Sequence, residues 1–250
     1  MIEDLKQVLS GKSTIIKNKQ YLSAKDYIQP FLDRLDPLGV TYMCQVKQAD
    51  QLSVTDSTPD IIYNRVHIQA VFPESNDNGC KKVIGFVYGI DVKIPVAKFY
   101  TANVDGKGNL LAFDTNGLIV QKLEDATPID YSPISTLLNW TDNSTVMIKQ
   151  LKNTYIDRDR LIKFLGEWVD LTIDQCVVND GGKVKLATSL PVDVYKSILK
   201  DKDSDYYITE TNAISFYDIY TTFLGKIKED DKDIVNRYEK TLLVDKILKL

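Results

Sequence analysis

The sequence has few of the residues that most often carry out chemistry in proteins. Among its 250 residues there is one histidine, His67, and there are three cysteines, Cys44, Cys80 and Cys176, which lie far apart in the chain. A structural zinc site needs four ligands, usually in close pairs, so this distribution disfavours one. We expect the cysteines to be reduced thiols, packed like small apolar side chains.

Long hydrophobic runs are also missing. No apolar run approaches the roughly 18 residues that a membrane-spanning helix needs, and residues 1–10 are acidic where a signal peptide would be basic. The apolar fraction of 44% and the charged fraction of 26% are ordinary for a globular chain. We therefore expect a cytoplasmic protein, or part of a particle assembled in the cytoplasm, with no membrane partner.

The chain has little arginine and a small excess of acidic residues. It contains 31 Lys and Arg, of which five are Arg, against 35 Asp and Glu, for a formal net charge of −4. Arginine makes the bidentate contacts that read bases, so sequence-specific recognition of duplex DNA is disfavoured. When the chain is divided into 1–60, 61–122 and 123–250, only the middle part is net basic, with seven cations against five acids. A local cationic surface in this part of the chain is therefore the main electrostatic candidate.

The hydrophobic pattern predicts an α+β fold, with an antiparallel sheet in the first half and a mainly helical second half. We expect a region of helix plus sheet at 1–125 and a mainly helical region at 126–250, packed on the first as one unit. Ser23 is predicted to cap a helix that ends at Asp36-Pro37. Strands are predicted at 40–46, 61–72, 82–93, 96–104, 110–113 and 118–123. Further helices are predicted near 130–140, 144–155, 158–169, 192–200, 213–226 and 231–250, with a hairpin at 176–186.

The strand predicted at 61–72 has two different faces. Val66, Ile68 and Ala70 alternate on an apolar face, and the opposite face is polar, with His67 expected on the solvent side. Proteins that bind single strands combine cations with aromatic platforms on a sheet. The candidate nucleic-acid-binding residues are Tyr63, Arg65, Lys81, Lys82, Lys93, Lys98 and Tyr100. The alternative is an ordinary solvent face, or a face covered by the C-terminal helices.

Two catalytic alternatives are less well supported by the sequence. His67 would have to serve any Ser–His or Cys–His pair, and there is no GxSxG motif. A carboxylate–metal site could draw on Asp157, Asp159, Asp170 and Asp174. Asp157 is equally explained as a helix N-cap. We therefore predict a protein that is not an enzyme and needs no cofactor or resident metal, with the carboxylate–metal site left open.

Part of the chain resembles a group of phage and plasmid proteins of unknown function. The similarity covers about residues 20–125 and is carried by the segments 20–31, 98–103, 109–113 and 118–124. In that group a Lys-aromatic strand leads to a Cys-x-Asn-Leu turn, and here Lys107 stands at the position of that Cys. The resemblance implies a phage-type origin, the host cytoplasm or a virion as location, and no assigned reaction.

Two functions from different classes are consistent with these features. The first is a phage-type protein that binds single-stranded nucleic acid in replication or recombination. The second is a virion structural or assembly subunit (a ring, connector or adaptor) or a subunit that contacts a host protein. The 14 tyrosines suit such interfaces. The expected partners are single-stranded nucleic acid or other protein subunits, including further copies of this chain.

Overall fold

The computed structural model describes most of the chain. The described residues are 3–10, 14–16, 19–48, 63–89, 96–113, 118–123, 127–139, 143–174, 176–179, 182–185, 189–203, 213–230 and 234–248. Within them, strands dominate the N-terminal half and helices the C-terminal half, so the predicted α+β class is confirmed. No helix in this part of the chain combines the length and the apolar character needed to cross a membrane.

The described helices and strands follow the predicted order closely. The helices are α1 Glu3–Leu9, α2 Ala24–Leu35, α3 Pro133–Leu138, α4 Ser144–Asn153, α5 Arg158–Asp174, α6 Leu190–Leu199, α7 Phe216–Asp230 and α8 Ile234–Leu248, with a 3-10 turn at Asp36–Leu38. The strands are β1 Thr14–Ile16, β2 Lys19–Tyr21, β3 Thr41–Gln48, β4 Tyr63–Ser75, β5 Lys81–Gly89, β6 Val96–Val104, β7 Leu110–Leu111, β8 Ile119–Lys122, β9 Tyr155–Ile156, β10 Cys176–Asn179, β11 Gly182–Lys185 and β12 Ile214–Ser215.

Helix α2 shows how local sequence sets an element's bounds. The Ser23 hydroxyl oxygen accepts a hydrogen bond from the backbone N–H of Asp26, and the Asp26 carboxylate accepts one from the backbone N–H of Ser23. This reciprocal capping box satisfies two N–H groups that would otherwise lack partners. Pro37 then ends the helix in a 3-10 turn, where Gly39 takes a φ of 67°.

The main sheet is an antiparallel meander from β3 to β6. Its strand order is β3-β4-β5-β6-β7, and β8 pairs with the first part of β6. In the ladder, Ile68 lies opposite Cys44 on one side and Phe86 on the other. Because alternate residues of a strand share a face, Val66, Ile68 and Ala70 are buried together on the core face, as the alternation predicted.

The chain divides into two compact units, each with its own core. The first comprises 1–75, 81–102 and 116–141, and the second comprises 76–80, 103–115 and 142–250. In the first, Phe86 stacks between Phe31 and Phe99, with ring centroids 5.2 and 5.0 Å apart. In the second, Trp168 stacks on Phe223 at 3.8 Å, with the rings 7° from parallel.

This division differs from the predicted boundary at residue 125. Residues 127–139 belong to the first unit because Ile129, Tyr131 and Ile134 pack in its core cluster. Two turns of the sheet region belong to the second unit because Cys80 and Leu111 lie in the other cluster. The unit to which a segment belongs is thus set by the core in which its apolar side chains are buried, and not by its position along the chain.

Candidate functional site

A polar cluster lies on the face of the sheet opposite the first core. The Tyr100 hydroxyl oxygen on β6 lies 2.7 Å from Nε2 of His67 and 2.9 Å from Nε2 of Gln69, both on β4. The Gln69 amide donates to the phenol oxygen, and Nε2 of His67 shares a hydrogen bond with the same hydroxyl group. The His67 imidazole, the only one in the sequence, is thus held in a structural hydrogen bond.

A glycine on β5 makes this cluster possible. Gly85 lies opposite Gln69 in the ladder, between the strands that carry His67 and Tyr100. A Cβ at Gly85 would overlap the ring of Tyr100. The Tyr100 ring therefore crosses β5 over the space that Gly85 leaves empty.

The structure corrects the expectation that this face is exposed. Tyr100 is 1% exposed, Lys98 is 5% exposed, and His67 is buried as well. Tyr100 is buried because its ring fills the space over Gly85, and Lys98 lies on a strand that has β5 on one side and β8 on the other. In this conformation Tyr100 cannot stack on a base, and Lys98 cannot meet a phosphate.

The other predicted residues are divided between the two ends of the sheet. Lys81 is exposed at the turn end of β5, where it pairs with Ser75. Lys82 is half-buried, and its Nζ donates to the carbonyl oxygen of Leu138 at 2.9 Å, so it ties α3 to the sheet. Lys93 lies outside the described residues.

Tyr63 and Arg65 begin β4 at the opposite end. Their side chains lie outside the described part, but the backbone register is clear: Arg65 pairs with Lys47 of β3 and with Gly89 of β5. Tyr63 pairs with Gln48, next to a register shift. Sequence reasoning missed Lys47, since only the register shows that it lies opposite Arg65.

The carboxylates of the alternative metal site have other roles where they are described. Oδ1 of Asp157 accepts a hydrogen bond from the backbone N–H of Arg160 at 2.8 Å, and its Oδ2 lies 3.8 Å from Nε of Arg160. The predicted N-cap at Asp157 is therefore confirmed. Asp159 follows in the first turn of α5, while the side chains of Asp170 and Asp174 lie outside the described part. Across the described residues, no three His, Cys, Asp or Glu side chains cluster as metal ligands.

A second buried polar pair lies in the second unit and was not predicted. The Tyr220 hydroxyl on α7 donates to Oδ1 of Asp245 on α8 at 2.7 Å, and Phe113 stacks on the Tyr220 ring at 5.4 Å. Asp245 is 1% exposed, and its Oδ2 has no hydrogen-bond partner among the described residues. Burial raises the pKa of Asp245 to about 7, although the hydrogen bond from Tyr220 lowers it in part.

Comparison with known proteins adds no relative. The chain matches no family model, no curated protein and no solved structure. The functional argument therefore rests on the residues of this chain.

Proposed function

We propose that this protein binds single-stranded nucleic acid without catalysing a reaction, and that it does so in the replication or recombination of a phage-type element. The binding surface is the end of the β3–β4 strand pair that carries Lys47, Tyr63 and Arg65. The observation that supports this proposal is the strand register, which sets Lys47 directly opposite Arg65.

Two cations at opposed positions of a ladder favour an anion between them. Directly opposite residues of an antiparallel pair share one face, and like charges there destabilise the pair. A phosphate that bridges Lys47 and Arg65 turns this repulsion into two charge-assisted hydrogen bonds. On its other side Arg65 lies opposite Gly89, which offers no side chain to pair with it.

The same end of the sheet carries an aromatic residue, and the neighbouring face of β3 is accessible. Tyr63 lies two residues from Arg65 along β4, across the register shift, and a base can stack on a tyrosine ring. Farther along the face of β3 that carries Lys47, Met43 is 50% exposed, while its partner Gln69 on β4 is buried. The accessible part of this face therefore lies along β3, and we propose that the single-stranded nucleic acid runs along β3.

Fluorescence anisotropy with a labelled oligothymidylate tests the proposal at low and moderate salt. We expect parental binding to weaken as salt rises, with each phosphate contact contributing about 0.7 to the log–log slope. The double variant Lys47→Ala/Arg65→Ala should bind more weakly and lower the slope by about 1.4.

The matched control removes the same charges elsewhere. Arg160 and Lys163 on α5 have side chains 76% and 79% exposed, so Arg160→Ala/Lys163→Ala changes net charge equally. It should retain the parental affinity and slope. Equal losses in both double variants, or no binding by the parent, would overturn the proposal.

A second function is favoured by exposed apolar side chains in the second unit. Tyr155 on β9 is 60% exposed and Val146 on α4 is 58% exposed, and large aromatic side chains are enriched at protein interfaces. This supports a role as a virion, assembly or host-contact subunit. Light scattering on the eluting protein tests the assembly version: we expect a defined oligomer that Tyr155→Ser weakens, and a strictly monomeric parent would contradict it.

A further inference from the structure

The second unit contains an open cavity of about 580 Å³. Its walls come from the end of α6 and the turn after it, from α7, and from the turn between β6 and β7. Small-molecule sites usually have volumes of roughly 300–1,000 Å³, so this cavity has the size of a ligand site. The strand end proposed to bind nucleic acid belongs to the first unit.

The buried part of the lining offers hydrogen-bond acceptors. The hydroxyl of Thr221 donates to the carbonyl of Tyr217 at 3.0 Å, and that of Thr222 donates to the carbonyl of Asp218 at 2.6 Å. Both threonines are buried, and their hydroxyl protons are used within α7. Only the oxygen lone pairs remain for a ligand, so this part of the lining suits an N–H or ammonium donor.

The exposed part of the lining carries charges of both signs. Lys228 donates from Nζ to the carbonyl of Lys107 at 2.5 Å and makes no ion pair with any described residue, whereas Lys226 is paired with Glu229 at 2.9 Å. On the α6 side, Asp201 and Asp203 are exposed. No described cation lies within ion-pair distance of either carboxylate. Among the described residues, the Lys228 ammonium and the Asp201 and Asp203 carboxylates therefore border the cavity without a charged partner.

A glycine in α7, Gly225, lies in the wall of the cavity although the packing around it does not require a glycine. Gly225 lines the cavity from within α7, where glycine lowers helix stability relative to alanine. A Cβ built there would meet no atom within 4 Å, so packing does not require glycine at this position. The missing side chain keeps the wall of the cavity open.

We propose that this cavity binds a small zwitterion of the size of an amino acid or a dipeptide. The ligand's ammonium group donates to the threonine oxygens and lies near Asp201 and Asp203, and its carboxylate meets Lys228. A ligand with both charges satisfies both sets of bordering groups, whereas an ion of one sign would leave the other set unpaired.

Isothermal titration with the parent protein tests the ligand class. The probes are the twenty standard L-amino acids and a set of dipeptides, each added alone, together with inorganic phosphate and AMP. We expect at least one zwitterion to bind, and its decarboxylated amine and its deaminated acid to bind at least about tenfold more weakly, since each lacks one charge-assisted hydrogen bond. No binding by any zwitterion, or tighter binding of phosphate or AMP, would overturn the proposal.

Two glycine variants locate the site. Gly225→Leu fills the cavity wall and should abolish binding, whereas Gly166→Leu adds the same side chain on α5, at another helix glycine with no atom within 4 Å, and should leave binding unchanged. Far-ultraviolet circular dichroism checks that both variants fold. If Gly225→Leu does not fold, Lys228→Gln replaces it and should weaken binding about tenfold or more. Parental affinity in the folded cavity variant would refute the location.

Discussion

The buried carboxyl of Asp245 is expected to make the second unit less stable as the pH rises. Its pKa is about 7 in the folded protein, against an ordinary value of 3.8 for an aspartate in water. The unfolded chain therefore loses this proton near pH 4, while the folded chain keeps it until about pH 7. Between these limits the free energy of unfolding falls by up to about 1.4 kcal/mol per pH unit, or about 4 kcal/mol in all.

The substitution Asp245→Asn isolates this effect. The amide oxygen can still accept the Tyr220 hydrogen bond, and the side chain no longer ionises. At about pH 4 the variant should differ from the parent only by the cost of burying the new amide, about 1–3 kcal/mol. That cost is the same at every pH. It therefore cancels when the variant-minus-parent difference in the free energy of unfolding at pH 4 is subtracted from the same difference at pH 8. What remains should be about 4 kcal/mol in favour of the variant.

Denaturant unfolding at a series of pH values measures this quantity. Trp168 is buried against Phe223 in the same unit, so its fluorescence reports unfolding there. Other buried ionisable groups, including Glu239 on α8, are present in both proteins, so their contributions to the pH dependence of stability cancel to first order. The control Asp230→Asn removes an exposed carboxylate at the end of α7 and should stay within about 0.5 kcal/mol of the parent throughout. A pH-dependent remainder below about 1 kcal/mol would refute the reasoning.

Three further substitutions have defined outcomes. Gly85→Ala places a Cβ against the Tyr100 ring and should destabilise the protein by about 1–3 kcal/mol in denaturant unfolding, with a smaller loss when Tyr100→Ala is also present; an equal loss in both backgrounds would contradict the contact. Tyr63→Ala should weaken oligothymidylate binding by about 1–3 kcal/mol in anisotropy titrations, and Tyr63→Phe should keep it; parental binding by both variants would exclude stacking. Ser23→Ala removes the α2 cap and should cost about 1 kcal/mol in thermal or denaturant unfolding, so an unchanged stability would argue against the capping box.

Local patterns predicted the elements that have local causes. Ser23 and Asp36-Pro37 bound α2 because capping and proline geometry act within a few residues. The predicted strands at 96–104 and 110–113 leave a turn between them, and there the Asp105 side chain accepts a hydrogen bond from the backbone N–H of Lys107 while Gly108 takes a φ of 76°. The short strands β1, β2, β9 and β12 were missed, since two or three residues carry too little pattern to distinguish them from loop.

The candidate site was predictable only in part because it depends on register and burial. Alternation separated Ile68 from His67 correctly, but it assigned the polar face to solvent, and the structure buries His67 and Tyr100. Polar side chains are buried when they satisfy one another, and here the phenol oxygen of Tyr100 has two partners on a strand 31 to 33 residues away. No local signal marks a pairing at that separation.

Sequence patterns were sufficient to predict the α+β class, the order of the main helices and strands, and the core face of β4, because these follow from side-chain periodicity and from caps and turns that act over a few residues. Tertiary structure alone decided that Lys47 lies opposite Arg65, that Gly85 admits the Tyr100 ring, and that Tyr220 meets Asp245. Each of these joins residues distant in the chain. Such contacts depend on which strands pair, in which register, and on which helices pack together, and these choices minimise the free energy of the whole fold.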